Sequence, residues 1–249
     1  MADWNDPQSR QTGFGASPSL GREGAARATY DMGLRRHMLS IYNYMASGVL
    51  LSGIVALLFA ESGFARQIML GGSPLAWLII LSPLGFVFAM SFGANRFSTT
   101  ALQAMFWGFA TVMGLSLSTI FLVYTHSSIA MTFFATAAAF AGLSLVGYTT
   151  KKDLSGMGTF LIMGVVGLLV AMIVNMFVGS TALQFAISAI GVLIFAGLTA
   201  YDTQRLKMMY YHVAGTEFAG KAVVLGALSL YLDFINMFQF LLSFMGNRN

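Results

Sequence analysis

Two carboxylates stand where the chain otherwise excludes charge. From Leu154 through Tyr201 there is no Asp, Glu, Lys or Arg; then "AYDTQRL" brings Asp202, with Arg205 three residues on. In "LYLDFINMF", Asp233 is the only charged residue between Lys221 and Arg248. A charged side chain near the centre of a membrane helix costs about 2.5–3.5 kcal/mol on insertion scales, so it must face protein or water. Helical spacing puts Gly226, Ser229, Asp233, Asn236 and Ser243 near one face, a polar stripe belonging inside a bundle. Thr199 and Arg205 lie on a similar face to Asp202. If neighbouring antiparallel helices bring the carboxylates together, they share one proton and release their two protons in separate steps. Deprotonated, such a pair is an oxygen cage for a hard cation such as calcium; protonated, it is a neutral lock. The bland alternative is that each aspartate satisfies backbone or Asn236 and never titrates. Two acids on adjacent helices favour the functional reading.

The composition supplies those helices. Of 249 residues, 57% are hydrophobic and 9% charged, against about 25% charged in a soluble domain. Apolar stretches long enough to cross roughly 30 Å of hydrocarbon recur. Seven spans are expected: Met38–Ala60, Leu75–Asn95, Ala101–Val123, Ile129–Thr149, Met157–Val178, Leu183–Thr203 and Leu225–Met245. The stretches lack period-two alternation, which excludes a β-barrel. Helices satisfy their own backbone in lipid, so the fold class is an all-α membrane bundle. Residues 1–33, rich in Gly, Ser, Gln and Pro, read as a flexible cytoplasmic tail without a signal peptide, and residues 34–249 as the membrane domain. Short connections such as "YTHSS" and "GST" predict that sequential helices pack as antiparallel neighbours. Pro74 suits a helix start and Pro83 predicts a kink within span two. Intramembrane glycines, among them Gly164, Gly167, Gly191 and Gly197, read as close-packing positions.

Charge sets the orientation. With the amino terminus inside, eleven of the 13 Lys and Arg residues fall on inner segments, and only Arg66 and Arg248 fall outside. That is the positive-inside pattern of a multi-pass membrane protein with an odd number of spans and an external carboxyl end. The net charge of +4 is therefore topology, and no nucleic-acid partner is expected. The absence of cysteine excludes disulfides and thiolate metal sites. His37, His126 and His212 fall at loops or span edges, with no His/Glu cluster at ligand spacing. No nucleophile elbow or phosphate loop is present, and the one lysine near span seven, Lys221, precedes it, which excludes a retinal Schiff base. No enzyme activity and no cofactor is expected. Arg96, at the inner end of span two, reads from position alone as a topological anchor.

"GLTAYDTQRLK" at 197–207 followed by "LGALSLYLDFINMFQFLLSFMG" at 225–246 resembles the signature of the Bax inhibitor-motif family of membrane proteins. The resemblance covers about residues 30–246 and is strongest in the last two spans; "DMGLRRHM" is a weaker match. It implies a central seventh helix wrapped by six others. It also implies a hydrogen-bonded aspartate pair, Asp202 and Asp233, that senses pH and controls a calcium leak, with calcium as the transported ion. Arg96 matches the family's latch arginine, and Ser229, Asn236 and Thr199 would supply polar lining. The charged carboxyl-terminal tail common in the family is reduced here to Arg248, so regulation through it is not expected. The expected function is a pH-sensitive calcium leak channel or calcium/proton exchanger, with lipid, calcium and protons as partners. The alternative is a membrane interaction protein that modulates a membrane-anchored AAA quality-control protease. An exporter of small metabolites would need a larger cavity than two carboxylates imply.

The eleven-to-two charge distribution predicts that reporters fused at Asn249 and inserted near Gly215 lie on opposite sides of the membrane. Both reporters on one side would remove the seven-span topology.

Overall fold

A computed structural model describes residues 18–71 and 73–248, with side chains from Asp31 onward. Eight helices follow in order: α1 Pro18–Glu61, α2 Phe64–Leu70, α3 Pro74–Gly93, α4 Thr99–Val123, α5 His126–Thr149, α6 Ser155–Val178, α7 Thr181–Val213 and α8 Phe218–Met245. Seven are long and apolar enough to cross a membrane, beginning with the Asp31–Glu61 part of α1. The chain is thus the seven-span α-helical bundle that its composition requires. Of the expected tail, residues 1–17 lie outside the described residues, while 18–33 continue α1 as helix. The short α2 was not foreseen: seven residues are too few for a span and carry no apolar run of membrane length.

Local sequence explains the helix starts. Ser73, Ser98, Thr125 and Ser180 accept backbone N–H bonds through their side chains at the first turns of α3, α4, α5 and α7. Each thereby satisfies a donor that has no partner within its helix. Pro74 takes the first turn of α3 as expected, and Pro83 lies buried inside that helix. Gly179 closes α6 with φ 66°, a conformation that glycine adopts without steric cost.

The seventh span, α8, is the centre. Its apolar window is 56% buried, against 17–33% for the other six. It packs against α1, α3, α4, α5 and α7, most extensively against α7. The wrapping is incomplete, because the backbone of α6 packs against α7 alone. Aromatic side chains fill the space around α8. Tyr231 meets Phe106 and Phe109 edge-on, and Phe234 meets Phe133 and Phe140 in the same way. Tyr231 is fully buried, and its hydroxyl lies 2.6 Å from Ser52 Oγ, which in turn bonds the Ala110 carbonyl at 2.6 Å. One polar knot thus ties α1, α4 and α8 within an apolar core.

Among the spans, sequential packing holds for α3 with α4, α6 with α7 and, most extensively, α7 with α8, but fails elsewhere. Helices α4 and α5 touch little despite their two-residue connection, and α5 and α6 do not pack together. Helix α5 lies instead against α7 and α8. An apolar cavity of about 320 Å³, walled in part by Phe121, Phe133 and Phe238, lies among α1, α4, α5 and α8. Small residues do mark close approaches. Gly191 faces Phe240 and Gly197 faces Leu161, whereas Gly167 has no neighbour within 4 Å of an added Cβ. One close approach of helix to helix backbone was not foreseen: a Cβ on Gly147 would strike the backbone carbonyl of Ala200 on α7.

Gly147→Val should therefore destabilise the bundle by about 1–3 kcal/mol, the usual cost of overpacking. Gly142→Val on the same helix, where nothing lies within 4 Å, should leave it unchanged. Loss of monodisperse protein on heating in detergent measures both. Equal thermal loss for the two variants would show that α5 and α7 separate freely.

Candidate functional site

The site forms where α7 and α8 run together. Asp202 and Asp233 are both buried, at 7% and 5% exposure. They reach comparable depth because α7 continues to Val213 and α8 begins at Phe218. Both helices therefore project past the expected span boundaries on the inner side. The apolar pattern ends at Thr203, but helix propensity and packing carry "RLKMMYYHV" onward as helix. Ser229 makes the junction between the two helices. Its hydroxyl donates to Asp202 Oδ2 at 2.6 Å, and Ser229 sits one turn before Asp233, about 6 Å along the axis.

The two carboxylates have unequal surroundings. Asp202 Oδ1 accepts from Arg205 Nη1 at 3.3 Å, the only ion pair among the described residues. Asp202 is thus bonded at both oxygens. Asp233 Oδ2 is buried with no hydrogen-bond partner, a condition it shares only with His37 Nε2 among the described residues. No hydrogen bond joins the two carboxylates among the described residues, although Asp202 and Arg205 both lie near enough to act on Asp233 electrostatically. A buried polar atom without a partner costs roughly 1–3 kcal/mol, and more if charged.

The remaining expected residues are placed as follows. Thr199 is fully buried but donates to Phe195 O on its own helix. Asn236 Nδ2 likewise turns to Leu232 O, while its side chain lines a cavity of about 360 Å³ between α6, α7 and α8. Arg96 is exposed just beyond α3, and its side chain makes no hydrogen bond or ion pair among the described residues. The arginine that meets Asp202 is Arg205, from the same helix. His37 departs from its expected place at a span edge. It lies buried within α1, with its ring centroid 5.2 Å from that of Tyr210, because α1 is already helical well before Met38.

Two polar features escaped sequence reading. At the end where α6 leads into α7, Asn175 Nδ2 donates to Gln184 Oε1, Gln184 Nε2 donates to Ser243 Oγ, and Ser188 donates to the same Ser243 oxygen at 2.9 Å. This chain joins α6, α7 and α8 where their backbones do not all touch. Its signal was present as the i, i+4 pair Gln184 and Ser188 near the start of α7. At the opposite end of the bundle, two lysines cap helix carboxyl ends. Lys207 Nζ donates to Tyr148 O in the last turn of α5, and Lys221 Nζ to Ala94 O just past α3. Cations there neutralise the negative pole of each helix dipole. Outside the spans, Asp153 Oδ1 accepts from Ser155 N at the start of α6. Hydrogen bonds from the Ser155 side chain and backbone hold that carboxyl below its ordinary range. Among the described residues no three His, Cys, Asp or Glu side chains gather as a metal cluster.

A family model described as "Inhibitor of apoptosis-promoting Bax1" matches residues 34–249. An uncharacterized protein of Caulobacter vibrioides is 47% identical over 233 residues, covering 90% of this chain and 93% of that protein. The Escherichia coli K12 inner membrane protein YbhL is 42% identical over 218 residues, 87% of this chain and 93% of its own. A Rickettsia prowazekii protein, RP147, is 43% identical over 230 residues, covering 88% and 93%.

The two donors to Asp202 should differ in weight. The Arg205 side chain is 48% exposed, so water screens the pair and Arg205→Gln should cost about 0–1 kcal/mol. Ser229→Ala removes a 2.6 Å bond in a buried setting and should cost about 1.5–3 kcal/mol if Asp202 is ionised. Thermal stability of the two variants at neutral pH measures the order. A larger loss for Arg205→Gln would reverse the assignment.

Proposed function

The chain belongs to the Bax inhibitor-1 family of membrane proteins, and on that basis we propose that it is a pH-gated calcium leak channel or calcium/proton exchanger. Asp202 and Asp233 are its titrating pair, and calcium is the ion carried. The observation that carries this reading is Asp233 Oδ2, buried at the core of the central helix with no hydrogen-bond partner. An atom so placed is satisfied by a proton or a cation, and such unmade bonds persist where they serve a function.

The asymmetry of the pair supports a gate. Asp202 is held by Ser229 and Arg205, while Asp233 has no protein donor of its own. With one proton between them the pair carries a single negative charge, which Arg205 balances, and the helices can close over it. With the proton gone, two negative charges in a low-dielectric setting repel each other and attract a divalent ion. Calcium gathers six to eight oxygens. Two carboxylates and the Ser229 hydroxyl supply too few for tight residence, which suits an ion in passage rather than a bound cofactor. The polar chain of Gln184, Ser188 and Ser243 and the cavity beside Asn236 furnish wettable surface on the outer side of the pair. The relative named as an inner membrane protein and the basic inner segments support a bacterial inner-membrane location with a cytoplasmic amino terminus.

Calcium flux into reconstituted vesicles, measured across a pH series and normalised to folded protein, tests the reading. Asp202→Asn and Asp233→Asn keep side-chain volume but remove a titratable site. Each is expected to abolish the steep pH response, one by locking the gate and the other by leaving it open. An unshifted pH midpoint in both variants would reduce the aspartates to packing residues and remove the channel assignment.

A further inference from the structure

Helices α1 and α5 do not pack on each other, though both lean on α7 and α8. The gap between them is an open groove of about 510 Å³, within the roughly 300–1,000 Å³ of ligand sites. Met38, Leu39 and Tyr42 of α1 wall one side, and Phe140, Ala141 and Leu145 of α5 the other. The surface is almost wholly apolar. Its hydroxyls come only from Tyr42, Ser144 and Tyr148, and Ser144 Oγ already accepts from Thr203.

The ends of the groove differ. α1 and α5 run in opposite directions, so Arg35 of α1 and Tyr148 of α5 lie at the inner end. Tyr42 and Phe140 lie about 10 Å deeper, two turns along. Arg35 is exposed and makes no hydrogen bond or ion pair among the described residues, although Asp31 stands one turn before it. Lys207 brings a second cation to the same end: its Nζ sits 5.0 Å from the Tyr148 ring centroid and donates to the Tyr148 carbonyl. An ammonium has three protons to donate, so donors remain. The groove therefore presents an apolar slot parallel to the helices, ending at the membrane–water interface in an unpaired guanidinium and a fixed ammonium. Basic pockets between membrane helices on the cytoplasmic side take anionic lipid headgroups.

We propose that the groove between α1 and α5 is a binding site for an anionic phospholipid of the inner leaflet. One acyl chain lies along Leu39, Tyr42 and Phe140, and the phosphate sits between Arg35 and Lys207. The site is separate from the aspartate pair and does not depend on the function proposed for it. A second copy of this chain fits less well, since its inner face would also be basic and would repel the Arg35 end.

The full chain, purified in mild detergent and titrated with phosphatidylglycerol or phosphatidylcholine, reports both lipid adducts and oligomeric state by native mass spectrometry. One phosphatidylglycerol should bind in preference to phosphatidylcholine. Arg35→Gln should weaken it about fivefold, corresponding to the about 1 kcal/mol that one basic residue contributes beside an anionic headgroup. Arg35→Lys should restore most of that binding. Ala141→Trp, which fills the slot from an exposed position, should abolish the adduct while the protein remains monodisperse. Equal binding of the two lipids, or phosphatidylglycerol binding unaffected by both Arg35→Gln and Ala141→Trp, would overturn the proposal. A lipid-free dimer disrupted by Ala141→Trp would assign the face to a second copy and overturn it as well.

Discussion

Hydrocarbon will not accept a carboxylate, and in this chain the residue that poses the problem is Asp233, midway along the last helix. The rest of the bundle is arranged to answer it. Helix α8 is more than half buried where the others are a third or less, and five of the six other spans touch it. Tyr231, two residues before Asp233, anchors that arrangement through Ser52 and the Ala110 carbonyl. The aromatic rings packed around Tyr231 and Phe234 exclude lipid from the same level. A polar group at the centre thus demands apolar bulk around it.

The basic residues differ in what they hold. Lys207 and Lys221 each donate to a carbonyl at the carboxyl end of another helix, where the dipole is negative. Arg205 neutralises Asp202 from one turn away. Arg35 and Arg96 remain without partners among the described residues, and Arg35 stands at the mouth of the groove between α1 and α5. Basic residues that count alike in the charge pattern are therefore distinct in structure: some bind the protein's own backbone, and others are exposed.

Much of this was legible in the sequence, for reasons that can be named. The spans were legible because the hydrocarbon thickness sets a length and lipid forbids unpaired backbone, so an apolar run of twenty residues has one solution. The centrality of the last helix followed from its stripe of Ser229, Asp233, Asn236 and Ser243, which cannot face lipid. The helix start at Pro74 followed from proline's fixed φ. The family was legible in "AYDTQ" and "LYLDFINMF", and the match over residues 34–249 bears it out.

What only the tertiary structure decided were partners across the bundle. Nothing in the local pattern says that Ser229 rather than Asn236 meets Asp202, that Arg205 rather than Arg96 supplies the guanidinium, or that Asp233 Oδ2 is left without a donor. Nor does it say that Gly147 is where α5 meets the α7 backbone, or that Gln184 reaches Ser243. Periodicity gives each helix a buried face but not the rotation and depth at which that face meets its neighbour. A shift of one residue moves a side chain about 100° around the helix and 1.5 Å along it. Those offsets come from the packed volumes of aromatic rings and small residues on several helices at once. The sequence alone therefore determined which residues must be hidden, and only the assembled bundle determined what each of them touches.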